Sequence, residues 1–221
     1  CEGLTAIGSE HAQGQWQVTL EHEDGQTALE TLLTQRIGQA GARVHLGRSR
    51  NDQVLTALRL FLLDATSALN KATLQVADAL DALGTREADT VLPGYTHMQQ
   101  AMPSSVKLWA AGFAAELRDD AAGLLAVQRR ISKSPLGSAA GYGTPNLPLD
   151  RAATANALGF NEVHEPVTAV QLSRGKAEAQ LLFEIVMVMQ DVARLSSDLC
   201  LFYTQEFAFV SLPDAFTTGS S

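Results

Sequence analysis

Two arginines, a serine and an asparagine fall within six consecutive positions, Gly47-Arg48-Ser49-Arg50-Asn51-Asp52, directly ahead of a long apolar-periodic run. Guanidinium groups match carboxylates bidentately and a helix N-terminus adds positive potential, so this stretch suits the capture of carboxylates. The plainer alternative is that Asn51 or Asp52 caps the helix and the arginines are solvated. A second stretch, residues 93–100 (PGYTHMQQ), places His97 after a Pro-Gly turn with Thr96 and Gln99 at hand. An imidazole there is reachable and can be oriented for proton transfer, although a lone histidine often has no chemical role. The third, residues 217–221 (TTGSS), carries small hydroxyls on a flexible backbone and fits a lid or simply a polar loop.

The elements that must position these groups read as helices. Ala28, Leu29, Leu32, Leu33 and Ile37 recur at helical spacing, with Asp24 as a cap and Gly38 as a stop. A longer run begins at Asn51 or Asp52 and carries Leu55, Leu58, Leu62, Leu69, Val76 and Leu83 before Gly84, a rod of roughly 48 Å. Another begins at Ser104 or Ser105 and continues through Trp109, Phe113, Leu117, Leu124 and Ile131. Residues 132–150 form a loop rich in Gly, Ser and Pro, followed by a short helix from Asp150 that Gly159 stops. Past Pro166 the spacing predicts the longest rod, running to Phe209 with only a mild interruption at Gly175. Residues 1–20 show no period and read as irregular, and no segment alternates as a strand would. The fold class expected is all-α, a bundle of long helices whose stripes need an oligomer to cover them.

Composition narrows the function classes. Of 221 residues, 46% are hydrophobic and 18% charged, which is enough apolar material for a folded core. A net charge of −8 argues against a general nucleic-acid or anionic-membrane surface, so an anionic ligand needs a local cationic site. No apolar run is long enough for a membrane span, and the two cysteines, Cys1 and Cys200, form neither a disulfide framework nor a zinc site. The histidines His11, His22, His45 and His164 lack metal-ligand spacing, and Gly137, Gly141 and Gly143 do not form a nucleotide-binding motif. A reducing cytoplasm is the default compartment.

In order, GRSRNDQ (47–53), PGYTHMQ (93–99) and TTGSS (217–221) resemble the three signature regions of the fumarase and aspartase superfamily, and the first two resemble argininosuccinate lyases in particular. EDGQTALE (23–30) and SPLGSAAGYGTPNLPLDR (134–151) extend the likeness over most of the chain. The resemblance implies a carbon–nitrogen lyase of arginine biosynthesis that reversibly cleaves argininosuccinate to arginine and fumarate, without cofactor or metal. It implies that Arg50 and Asn51 bind substrate carboxylate and polar groups, with Ser49 in the same turn, and that Thr96 also binds substrate. His97 would be the acid/base histidine and Ser220 the proton-abstracting base. Leu46, Gln100 and Met102 replace the hydrogen-bonding Thr, Arg and Gln usual in the family, which leaves a related succinyl or acylated amino acid as an alternative substrate. A non-catalytic, crystallin-like structural homologue is the alternative from another class.

The resemblance also implies a cytoplasmic homotetramer with active sites shared between subunits, and no nucleic-acid or membrane partner. Domain boundaries follow from it: residues 1–46 as the end of an N-terminal domain and 47–221 as a truncated central helix bundle, with a C-terminal domain absent. The sequence thus reads as a fragment. Helix length gives an independent geometric expectation. Only 14 residues separate Leu83 from His97, and even fully extended they return barely ~48 Å, so His97 of one subunit should face Arg50 and Asn51 of another.

Overall fold

The computed structural model describes residues 1–217. Eight α-helices occur there: α1 (Glu2–Ala12), α2 (Gly25–Ile37), α3 (Gln39–Ala42), α4 (Arg50–Arg86), α5 (Val106–Ile131), α6 (Arg151–Ala157), α7 (Val167–Leu172) and α8 (Lys176–Phe202). Strands are few: an antiparallel hairpin of β1 (Val91–Thr96) and β2 (Gln99–Ser105), and a two-residue parallel pairing of β3 (Lys133–Ser134) with β4 (Glu162–Val163). The all-α, long-helix expectation therefore holds, with α4, α5 and α8 at 37, 26 and 27 residues.

Two compact units are present. The first comprises residues 1–61 and 132–174. Asp24 caps α2, its Oδ1 accepting the Thr27 N–H at 2.8 Å, and Gly38 ends it with φ of 62°. Asp24 and Gly38 thus act as their types predict. Helix α1 was not legible because it buries only Ile7, leaving no apolar stripe to repeat. The buried apolar residues of this unit include Leu55 of α4, Leu136, Ala155, Phe160 and Val170. Arg59, 1% exposed, reaches through it: Nη1 donates to the Lys133 carbonyl and faces His164 Nδ1 at 3.1 Å, and Nη2 donates to Ser173 Oγ at 2.8 Å. A guanidinium can hold these segments together because it offers five donors in a fixed fork.

The second unit comprises residues 62–131 and 175–221. On α5, Ala110, Ala114, Leu117, Ala121, Leu124, Val127 and Ile131 are buried at three- and four-residue steps, the pattern of a helix with one core face. Ala110, Ala114 and Leu117 form a cluster with Ala77 and Leu80 of α4, and α8 packs on α5 from Val188 and Leu195. Arg118 ties α5 to Asp78 and Asp81 at 2.9 and 2.7 Å, and Asn70 Nδ2 donates to the Ala121 carbonyl at 2.7 Å. Gly84 does not stop α4. A Cβ there would lie 3.3 Å from Lys107 Cα, so this glycine gives α5 room to approach while α4 continues to Arg86.

The rod expected after Pro166 is broken: Gly175, in the left-handed region at φ 77°, separates α7 from α8. The hairpin likewise departs from the expectation that no segment forms a strand. Leu92 is its one buried hydrophobic residue and each strand holds a proline, so there is no alternation to read.

Candidate active site

Ser49, Arg50 and Asn51 lie in the first unit, where a turn passes into the first residues of α4. Asp52 fixes this turn. It is fully buried; its Oδ1 accepts the Ser49 N–H at 2.9 Å, and its Oδ2 accepts the N–H groups of Gly137 and Ala139 at 2.9 and 2.8 Å. One carboxylate thereby pins the Gly-rich loop to the Ser49 turn, and Asp52 is a strut rather than the simple cap its position suggests. Three backbone donors on one carboxylate are charge-assisted bonds, each stronger than a neutral one.

Arg50 turns back onto the start of α2. Its Nη1 contacts Glu23 Oε2 at 3.2 Å and Asp24 Oδ2 at 3.3 Å, and Nη2 donates to Thr27 Oγ1 at 2.5 Å. The Glu23 hydrogen bond and the Asp24 charge hold its pKa above the ordinary arginine value. Asp24 is in turn held below the usual carboxylate range, chiefly by the Thr27 N–H and further by the Thr27 hydroxyl and the charge of Arg50. Asn51 is exposed and held from both sides: Oδ1 accepts from Arg174 Nη1 at 2.9 Å, and Nδ2 donates to Ser49 Oγ at 3.3 Å. Arg174 follows α7 and was not among the residues singled out from sequence. Its only sequence signal is the Ser-Arg-Gly-Lys break, 173–176, in an otherwise apolar helical run.

Thr96 and His97 lie in the second unit, at the tip of the β1–β2 hairpin. Thr96 pairs with Gln99, so His97 and Met98 are the two turn residues, with φ of 50° and 61°. Positive φ at both central positions is the signature of the tight hairpin turn whose twist suits the flanking strands. Among the described residues neither the Thr96 hydroxyl nor the His97 imidazole has a hydrogen-bond partner, and both are exposed and free to meet a ligand. His97 lines one wall of a groove of about 530 Å³ with Tyr95, Trp109, Asp198 and Phe207. Asp198 Oδ2 accepts from Trp109 Nε1 at 2.9 Å, and edge-on ring contacts link Tyr95 to Phe207 and Phe207 to Phe209. Ser220 lies outside the described residues. Among the described residues no group of three or more His, Cys, Asp or Glu could hold a metal ion.

Exposed turns that carry Arg and Asn in the first unit, braced by Asp52, and Thr and His in the second offer side-chain types suited to acid–base chemistry on a polar anion. The profile of a family described as Lyase matches residues 1–221. The chain belongs to the lyase family. An argininosuccinate lyase from Sorangium cellulosum is 48% identical to this lyase-family chain over 99% of it and 50% of that protein. One from Xylella fastidiosa is 41% identical over 99% of the chain and 49% of that protein. The chain thus spans about half the length of the curated relatives it matches. Among solved structures, an EDDS lyase in complex with formate superposes with a TM-score of 0.88 at 25% identity, covering 99% of this chain and 43% of that one. A fumarate lyase:delta crystallin from Brucella melitensis bound to cobalt shares the fold, with a TM-score of 0.69 at 24% identity over 88% of this chain and 46% of that one. Leu46, Gln100 and Met102 are all exposed on the lyase chain, Leu46 and Met102 each at 65%.

Proposed function

We propose that this lyase-family chain is part of an argininosuccinate lyase that reversibly cleaves argininosuccinate to arginine and fumarate, serving arginine biosynthesis in the cytoplasm. The observation that carries the reading is the 48% identity to an argininosuccinate lyase over 99% of the chain. The site geometry supports it. Such an elimination removes a proton beside a carboxylate, passes through a carboxylate-stabilised carbanion, and releases a guanidinium nitrogen that must be protonated. Ser49, Arg50, Asn51 and Thr96 hold the substrate's polar and carboxylate groups. Ser220 removes the proton, which requires nearby positive charge to lower its pKa, and His97 acts as acid/base partner for the leaving nitrogen or balances the developing charge. No cofactor or metal takes part in the steps assigned here. A structural neighbour that holds formate, and a variant of EDDS lyase with bound fumarate that superposes with a TM-score of 0.88, support carboxylates as the ligand class.

The protein acts as a homotetramer in which His97 of one subunit meets Arg50 and Asn51 of another. The apolar face that α8 leaves uncovered supports this: Leu182, Phe183, Val186 and Met189 are 63, 61, 54 and 54% exposed. Residues 47–221 form the central helix bundle of this assembly and residues 1–46 belong to the domain before it. The test is to add argininosuccinate to the whole protein and follow the ultraviolet absorbance of fumarate. Steady formation of fumarate is expected; a flat trace from a folded tetramer would overturn the reading. The exposed apolar Leu46 and Met102 favour, as a second reading, a lyase for a related succinyl amino acid, which the same assay separates by comparing substrates.

A further inference from the structure

The Ser49–Asn51 turn holds two arginines in different electrostatic states. Arg50 is compensated twice over: Glu23 and Asp24 both lie within 3.3 Å of its Nη1, and Thr27 occupies Nη2. One guanidinium between two carboxylates has less positive charge to offer a substrate carboxylate than an unpaired arginine has. Arg174 is exposed and its Nη1 meets only neutral acceptors, Asn51 Oδ1 at 2.9 Å and Gln171 Oε1 at 3.4 Å. Among the described residues no carboxylate lies within salt-bridge distance of it, and its Nε and Nη2 make no hydrogen bond. Because a guanidinium only donates, its contact with Asn51 also fixes which way the amide points. The oxygen faces Arg174, one N–H faces Ser49 Oγ at 3.3 Å, and among the described residues the second N–H has no partner. Two unspent guanidinium donors and one unspent amide donor thus stand on the same pair of side chains, the arrangement that a carboxylate satisfies.

We infer that Arg174 supplies the uncompensated positive charge of this site and binds a substrate carboxylate together with the free N–H of Asn51, whereas Arg50 is chiefly committed to holding the turn against α2. The inference rests on the carboxylate-binding reading above and adds a residue to it.

The experiment uses the whole protein and fumarate as the probe, with binding measured by titration calorimetry and turnover by steady-state kinetics on argininosuccinate. Arg174→Met should weaken fumarate binding by about tenfold or more, the effect of a lost charge-assisted hydrogen bond, and should raise KM. Arg174→Lys, which keeps the charge, should recover part of this, and Arg50→Met should weaken fumarate binding less than Arg174→Met does. Arg174→Gln keeps a donor for Asn51 without the charge and serves if the Met variant fails to assemble; it too should bind weakly. Wild-type affinity for fumarate in Arg174→Met or Arg174→Gln overturns the inference, as does a larger loss in an Arg50→Met protein whose circular dichroism and assembly match the wild type. Wild-type protein that binds fumarate but leaves argininosuccinate intact sinks the substrate assignment alone, while wild-type protein that binds no fumarate sinks both.

Discussion

His164 is 8% exposed and packs against the Arg59 guanidinium, 3.1 Å from its Nδ1. Burial, followed by the charges of Arg59, Lys133 and Arg151, pushes its pKa down to about 4 from an ordinary 6.5. The unfolded chain therefore takes up a proton near pH 6.5 that the folded chain refuses until about 4. The stabilising contribution is complete above the unfolded value and is lost as pH falls through that window. The melting temperature of the wild type should decline from about pH 6.5 toward 4, and His164→Asn, which keeps an acceptor facing Arg59, should decline less. Equal slopes for the two proteins would show that His164 does not carry the effect. None of this was legible in the sequence, where His164 is one of several isolated histidines, because its environment is set by Arg59, 105 positions earlier. The same reason hid Asp52's partners in the Gly137 loop and Arg174's hold on Asn51. Residue type and local spacing reveal a cap or a turn, but not which distant backbone or side chain closes on it.

Elements were legible in proportion to how one-sided their burial is. Helix α5 buries an unbroken stripe from Ala110 to Ile131, and its periodicity is plain in the sequence. The β1–β2 hairpin buries little, so its strands leave no pattern, yet it presents His97. Its two-residue turn sets non-glycine residues in the left-handed region, Met98 at φ 61° as well as His97 at 50°. Each such residue carries a cost of roughly 1–2 kcal/mol that a glycine would avoid. Met98→Gly should therefore raise the melting temperature, since its side chain is 74% exposed and contributes little packing, with the circular dichroism unchanged. An unchanged or lower melting temperature would mean that Met98 is held by contacts outside the chain, as residues at a subunit junction would be.

At the scale of the whole molecule, the residues proposed for binding and catalysis are divided between two units of one chain, with Ser49, Arg50, Asn51 and Arg174 in the first and Thr96 and His97 in the second. If each active site draws these sets from different subunits, two inactive proteins can repair each other. An Asn51→Ala chain still donates a sound His97, and a His97→Ala chain a sound Asn51. When the two are unfolded together, mixed in equal amounts and refolded, random assortment in a tetramer gives about one site in four with both wild-type contributions. Argininosuccinate cleavage should return toward that fraction of the wild-type rate, whereas either variant refolded alone should remain inactive. Sites built within single subunits could not recover, because every chain would carry one lesion. Hybrid tetramers confirmed by mass but lacking activity would thus place Asn51 and His97 in the same subunit's site, or remove one of them from the chemistry. The choice of Asn51 rather than Arg50 matters here: Arg50 braces the start of α2, so its loss could disable the fold of the donor chain, whereas among the described residues the exposed Asn51 side chain bonds only to Ser49 and Arg174.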